Sequence, residues 1–408
     1  MAAIHGRVCY HPCETACNRA SLDSAVSIHA VERFLGDLAL ERGWTFGPQP
    51  GRSGHRVTDL AAERAEGRFD AVFAAVGAHL SKRVDIPAGD AGRIVDAVSF
   101  LRSVAEGGRP VIGRRVAVYG GGNTAMDAAR VARRLGADDA LIVYRRTRAQ
   151  MPAHEQEAED AEREGVRINW LRTITAFDGP ELTVEAMELD DSGFPQPTGR
   201  FETLAADTVI LALGQETDTA FLRQVPGVEF GRDGTVKVSA SMMTGCPGVF
   251  AGGDMVPAER TVTVGVGHGK KAARHIDAWL RGAGAPGAAG EAAKHPLAEF
   301  SLLNPWYFGD FAPREQPESA PDQRITGFGE VVGGLGEAEA VYEAGRCLSC
   351  GNCFECDGCL GACPEDAVIK LGPGHRYRFD YDRCTGCGTC YEQCPVHAIE
   401  MVPEGSQP

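Results

Sequence analysis

Arg115-Val-Ala-Val-Tyr-Gly-Gly-Gly-Asn-Thr-Ala-Met-Asp127 is the stretch that decides the fold. Val116 to Tyr119 is an apolar run of the kind that forms a parallel strand covered on both faces. The glycines make a strand-to-helix turn, Asn123 to Leu135 reads as a helix, and Ala140-Leu-Ile-Val-Tyr144 as the next strand. Gly120, Gly122 and Ala125 fit G-x-G-x-x-A in the strand-turn-helix setting that a dinucleotide-binding turn requires. The first glycine allows the tight turn and the second lets backbone approach a pyrophosphate. The helix N-terminus at Asn123 and Thr124 supplies N–H groups and the positive end of a dipole. Where an NAD site places an acidic residue on the ribose, the chain reads Tyr144-Arg145-Arg146-Thr147-Arg148. Arg145 and Arg146 match a 2′-phosphate, so NADP(H) is expected over NAD(H); the competing reading is a solvated basic edge.

Outward from this unit the α/β pattern continues. Phe69-Asp-Ala-Val-Phe-Ala-Ala-Val76 and Thr208-Val-Ile-Leu-Ala-Leu213 are buried-strand runs, each followed by glycine, as are strands that bring backbone close to a dinucleotide. Short strands are expected around Arg167 and Leu182, and helices over residues 155–165 and 264–280. Gly248-Val-Phe-Ala-Gly-Gly-Asp254 ends a strand near a helix, where Gly253 and Asp254 can meet a ribityl or sugar hydroxyl. Residues 45–55 are polar and rich in Gly and Pro, residues 282–290 read as a flexible Gly/Ala linker, and an arm with Asn304-Pro-Trp-Tyr-Phe308 follows.

The cysteines speak more sharply. Cys353, Cys356, Cys359 and Cys363-Pro364 give C-x2-C-x2-C-x3-C-P, and Cys384, Cys387, Cys390 and Cys394-Pro395 repeat it. Three thiolates on a tight loop can hold three irons of a 4Fe-4S cube, while the fourth cysteine reaches across to the other cube. The expected ligand sets are therefore crossed, Cys353, Cys356, Cys359 and Cys394 on one and Cys384, Cys387, Cys390 and Cys363 on the other. Paired zinc knuckles would need neither the third x2 cysteine nor the doubled C-P. Cys347 and Cys350 extend the register upstream without a C-P ending. They complete a third cluster with Cys9, Cys13 and Cys17 or are free thiols; a thiol-disulfide reductase reading lacks the context it needs. Cys246 reads as structural.

The 408 residues are 43% apolar, enough for two or three domains, and a formal charge of -15 with no isolated basic block argues against nucleic acid or an anionic membrane surface. The N-terminus has no apolar signal region and no run of 18 apolar residues occurs, so a cytoplasmic chain without membrane insertion is expected.

Together, Gly6-Arg-Val-Cys9 with Cys13 and Cys17, the phrase at residues 121–127, Arg145-Arg146 with Met151-Pro-Ala153, and residues 248–254 resemble the glutamate synthase small-subunit family. The appended ferredoxin module is similar to that of the family's NADPH:acceptor oxidoreductases. The resemblance implies a two-dinucleotide-binding-domain flavoprotein in which NADPH reduces FAD and FAD reduces clusters. It places Gly253 and Asp254 on the flavin and Gly120, Gly122, Arg145 and Arg146 on NADPH. The first G-x-G-x-x-G, which cradles the FAD pyrophosphate in the family, is missing between Trp44 and Asp70, and the cysteines usual upstream of Gly6 are also missing. A fourth ligand beside Cys9, Cys13 and Cys17 would come from Glu32, Cys347, Cys350 or a partner.

The expected organisation is α/β. It has an N-terminal helical iron-sulfur segment (1–50), a remnant FAD-type domain (56–114 and 205–281) and an NADP-binding domain (115–204). A linker and arm (282–336) lead to an α+β ferredoxin domain with two 4Fe-4S clusters (337–408). The expected function is electron transfer from NADPH, through a flavin, to clusters and on to an acceptor protein or a large catalytic subunit. The alternative is a ferredoxin subunit without catalysis on a degenerate reductase scaffold. No acid or base is needed, so His79, His154 and His268 are expected to be structural.

Overall fold

Strand residues that are apolar on both faces need cover on both sides, and the run at Arg115 has it. The computed structural model describes residues 2–44, 67, 69–82, 84, 86, 87, 93–282 and 298–403. They divide into one unit of residues 53–285 and 318–333 and another of residues 1–52, 286–317 and 334–408.

In the first unit the strands are β1 (Val72–Ala74), β2 (Leu80–Ser81), β3 (Arg93–Asp96), β4 (Arg115–Tyr119), β5 (Asp139–Tyr144), β6 (Arg167–Trp170), β7 (Arg172–Asp178), β8 (Glu181–Leu189), β9 (Pro195–Ala205), β10 (Thr208–Leu211), β11 (Gln215–Glu216) and β12 (Val249–Ala251). A parallel sheet runs β3-β10-β4-β5-β6. Alternation along its strands sorts the core. Val116, Val118, Ile142 and Ile210 pack with Ala125, Ala128, Ala129 and Ala132 of the helix Asn123–Arg134. Ala117, Val143, Val209 and Leu211 pack with Phe177, Leu182 and Val184 of the antiparallel sheet β7-β8-β9. That second sheet is why the run reads apolar at every position, and the sequence showed only its strand around Leu182, since Arg167 lies on β6 of the parallel sheet.

The boundary between the two nucleotide-type halves differs from the expected one. β3 and β10 were expected in the FAD-type stretches 56–114 and 205–281, yet both belong to the sheet of β4, with Thr208 opposite Arg93 on one side and Val116 on the other. Asp207 causes this: its Oδ2 accepts the backbone N–H groups of Arg114 and Arg115, both at 2.9 Å, and its Oδ1 accepts Arg115 Nη2 at 2.6 Å. The start of β10 is thereby tied to the start of β4.

What stays of an FAD-type half is small. β1, shorter than the run 69–76 suggested, pairs in parallel with β12, and Ala74, Val249 and Ala251 pack with Met255 and Ala272. The helix Val262–Leu280 follows, capped by Thr261 Oγ1 accepting from Val264 N–H at 3.2 Å. Residues 45–66, which contain the whole polar stretch 45–55, and residues 283–297, which contain most of the Gly/Ala linker, lie outside the described residues.

In the second unit the N-terminal segment is helical as expected, with helices Ala2–Val8, Pro12–Thr15 and Ile28–Glu41. The buried face of Ile28–Glu41 is Ala30, Arg33 and Gly36, while Leu35 is 52% exposed. Close helix approach decides this: a Cβ on Gly6 would lie 2.4 Å from Arg33 Cβ, and one on Gly36 2.1 Å from Ala3 N. Ala30 also packs with Leu335 and with Ala340 of the helix Glu337–Gly345. The arm of residues 298–317 belongs to this unit and residues 318–333 to the first, so the expected linker 282–336 is split. The C-terminal module has short helices Gly358–Ala362 and Thr389–Glu392 and an antiparallel pair, β13 (Val368–Lys370) with β14 (Tyr377–Phe379).

Candidate functional site

A cavity of about 520 Å³ opens at the carboxyl ends of β4, β5 and β10. Tyr119, Gly120, Gly121, Gly122 and Thr124 form one wall and Tyr144, Arg145 and Arg146 another, with Leu211 to Gln215 and Lys82 opposite. Gly120 has φ 149, and a Cβ there would meet Ala212 O at 2.2 Å, so only glycine fits. A Cβ on Gly122 would meet no protein atom within 4 Å. The space above Gly122 is thus open to a ligand, as a pyrophosphate-binding turn requires. Gly122 is also the N-cap of the helix Asn123–Arg134, so unpaired helical N–H groups and the dipole end lie here.

The arginines divide by what they touch. Arg148 is engaged by Glu155 at 2.6 Å and Glu162 at 2.9 Å. Among the described residues Arg145 and Arg146 have no acidic partner, and Arg146 Nε is buried without a hydrogen bond. An anion with several oxygens is what these two side chains lack. The Asn123 side chain is engaged within the protein: its Oδ1 accepts His154 N–H at 2.9 Å, while Gly121 O accepts Ala153 N–H at 3.1 Å. The Met151-Pro-Ala153 phrase is therefore the strut that holds the glycine turn, and Asn123 is part of it. Lys82 and the pair β2–β11 on the far wall were missed; only the glycine ending the run at Leu213 hinted at them.

The C-terminal thiols gather as two crossed sets. Cys353, Cys356, Cys359 and Cys394 line a cavity of about 140 Å³, and Cys363, Cys384, Cys387 and Cys390 line one of about 360 Å³. Burial and the neighbouring thiols Cys353, Cys356 and Cys394 push the Cys359 thiol up to about 11. Burial, with Cys384 and Cys363, raises Cys390. Both C-P cysteines accept a backbone N–H four residues on, Ala367 to Cys363 at 3.3 Å and Ala398 to Cys394 at 3.2 Å. Four thiols around a space, with N–H groups aimed at sulfur, is a donor set that fits an iron-sulfur cube. The aromatic arm docks here too: Tyr307 and Phe308 lie 5.7 and 6.3 Å from the Phe354 ring, and Asn304 Nδ2 donates to Cys394 O at 3.0 Å.

Cys9, Cys13 and Cys17 stand in the helical N-terminal segment, with Cys9 Sγ accepting His11 N–H at 3.3 Å. Glu32 faces His5 at 3.5 Å. His11, Glu14 and His29 also cluster, but Glu14 Oε1 and Gln316 Oε1 each contact a His29 ring nitrogen at 2.8 Å, which occupies both nitrogens. Gly253 and Asp254 lie at the end of β12, outside the 520 Å³ cavity. Gly253 N–H donates to His268 Nδ1 at 3.2 Å, a structural use of that histidine.

Residues 50–272 match the pyridine nucleotide-disulphide oxidoreductase family and residues 377–400 the 4Fe-4S binding domain. The NADP(+)-dependent formate dehydrogenase subunit beta of Moorella thermoacetica is 30% identical over 463 residues, covering 86% of this chain and 65% of its own. The NADPH-Fe(3+) oxidoreductase subunit beta of Geobacter sulfurreducens is 28% identical, covering 86% and 69%. The NADPH glutamate synthase small chain of Azospirillum brasilense is 34% identical, covering 52% and 49%. The chain thus spans about two thirds or less of these relatives' lengths. The Moorella match is 463 residues long and uses 86% of a 408-residue chain, so it includes long stretches with no counterpart here. Among the described residues no helix is long and apolar enough to cross a membrane. With more than half of its length matched, the chain belongs to the pyridine nucleotide-disulphide oxidoreductase family and carries a 4Fe-4S binding domain at residues 377–400.

Proposed function

We propose that the chain takes electrons from NADPH at the Gly120–Gly122 cavity and passes them on singly to an acceptor protein or a large catalytic subunit. Two 4Fe-4S clusters carry them, one on Cys353, Cys356, Cys359 and Cys394, the other on Cys363, Cys384, Cys387 and Cys390. The observation that carries this reading is the two crossed thiol cavities in a chain whose nucleotide cavity presents Arg145 and Arg146 without acidic partners. Gly120 gives the turn, Gly122 and Thr124 receive the pyrophosphate, and the two arginines take the 2′-phosphate. Free thiols at cluster spacing suit the reducing cytoplasm.

A nicotinamide releases two electrons as hydride and a cube accepts one, so a flavin is the converter this chemistry uses. Gly253 and Asp254 would hold part of one. The described residues around them supply two parallel strands and no second glycine turn, which is less than an FAD pyrophosphate needs. We therefore read the flavin as shared with a partner subunit; the relatives named above as subunits or a small chain are in keeping with that. No protein acid or base enters, since hydride transfer depends on stacking, and His268 Nδ1 is occupied with the Gly253 N–H.

The test is anaerobic reconstitution with iron, sulfide and FAD, followed by metal analysis and calorimetric titration with NADPH and NADH. About eight irons or more per chain and preferential NADPH binding are expected. Iron-free protein, or NADH bound as tightly as NADPH, would contradict the reading.

A further inference from the structure

Cys347 and Cys350 precede the ferredoxin repeat and belong to neither crossed set, yet they are built like cluster ligands. After the first cysteine of each ferredoxin loop, the residue two positions on is left-handed, Glu355 with φ 60 after Cys353 and Gly386 with φ 69 after Cys384. Two other cysteines show the same turn, with Ser349 (φ 53) after Cys347 and His11 (φ 40) after Cys9. In both, the N–H of that residue donates to the cysteine sulfur, Ser349 to Cys347 at 3.4 Å and His11 to Cys9 at 3.3 Å. Left-handed backbone is costly for Ser and His, and such turns aim N–H groups at anionic sulfur.

The chain also brings this pair to the N-terminal cysteines. Asn18, next to Cys17, donates Nδ2 to Cys350 Sγ at 3.5 Å and to Ala298 O at 2.8 Å. One residue further, the buried Arg19 donates to Arg346 O at 3.2 Å, beside Cys347. Arg19 and Arg346 are both bound by Asp23, and Arg346 also by Glu343 at 2.9 Å. Burying two guanidiniums and two carboxylates is expensive unless all are satisfied, and this network holds residues 17–24 against residues 343–350.

We infer that Cys347 and Cys350 are ligands of a third iron-sulfur centre whose remaining thiols are Cys17 and Cys9, although some 300 residues separate the two segments. Gly351, the residue after Cys350, lines the cavity of Cys353, Cys356, Cys359 and Cys394, and its N–H donates to Val396 O at 2.8 Å. The third centre therefore adjoins the first ferredoxin cluster and extends the relay by one step. Only this last point rests on the proposed function.

The test uses the full chain, reconstituted anaerobically, with iron, sulfide and zinc counted and native thiols mapped by iodoacetamide and mass spectrometry. The expected result is about twelve irons, with Cys347, Cys350, Cys9 and Cys17 protected. In the double variant Cys347→Ala/Cys350→Ala about four irons are lost and Cys17 becomes reactive, while Cys353 and Cys363 stay protected. About eight irons with Cys347 and Cys350 alkylated in the loaded wild-type chain would overturn this inference and leave the two-cluster reading standing. Zinc on these thiols would overturn it as well, and a chain without iron would overturn both. Should the double variant fail to fold, the wild-type protection map decides alone.

Discussion

Arg346 donates to Asp23 at 3.1 Å across 323 positions of sequence, and the same carboxylate accepts Arg19 Nε at 2.7 Å. Both guanidiniums are fully buried, so Asp23→Asn would leave two buried cations short of charge. Losing one partner of a buried pair costs about 3–5 kcal/mol. Denaturant unfolding of the metal-free chain should show a loss of that size; a loss under about 1 kcal/mol would be that of a surface pair. The hydrogen bond from Arg19 holds the Asp23 carboxyl well below the usual carboxylate range. A depressed carboxylate stabilises above its unfolded value and loses that contribution as pH falls toward its folded one. The gap between wild type and Asp23→Asn should thus be full at neutral pH and shrink below about pH 4.

Gly120 and Gly122 serve different ends, and alanine at each separates them. Gly120→Ala forces a Cβ against Ala212 O and a φ of 149 on a side chain, so it should destabilise the chain by about 1–3 kcal/mol. Gly122→Ala meets no protein atom within 4 Å. It should leave the melting temperature unchanged and weaken NADPH binding about tenfold or more, because the methyl occupies ligand space. Equal effects of both substitutions on stability would contradict this division.

Arg145→Ala with Arg146→Ala should raise KM for NADPH about 10- to 100-fold, the worth of one or two charged hydrogen bonds, and leave KM for NADH nearly unchanged. Arg148→Ala should change neither, since Arg148 is held by Glu155 and Glu162. Steady-state kinetics with both nucleotides reads the difference. A parallel rise for NADH would mean that the arginines do not touch a 2′-phosphate.

The crossing of the ferredoxin sets is open to a direct trial. Cys363→Ser should expose Cys384, Cys387 and Cys390 to alkylation in the loaded protein and leave Cys353, Cys356 and Cys359 protected, although Cys363 is nearer the latter in sequence. The reverse pattern would mean that each loop keeps its own C-P cysteine.

What was legible in the sequence was whatever short-range spacing decides. The strand-turn-helix at Gly120, the repeat of C-x2-C-x2-C-x3-C-P and the arginines after β5 all reappear in the structure at one cavity or another. Long-range choices were not legible. Asp207 draws β10 onto β4 through the N–H groups of Arg114 and Arg115, and this moves a domain boundary that composition had drawn elsewhere.

The most direct measurement of the central claim is anaerobic addition of NADPH to the chain carrying its clusters and assembled with the partner subunit that completes its flavin site, with the visible absorbance of the clusters followed in a stopped-flow instrument. The account predicts bleaching by NADPH that the Arg145→Ala/Arg146→Ala variant slows at low nucleotide concentration. Clusters that dithionite bleaches but NADPH leaves untouched, with flavin bound, would contradict it.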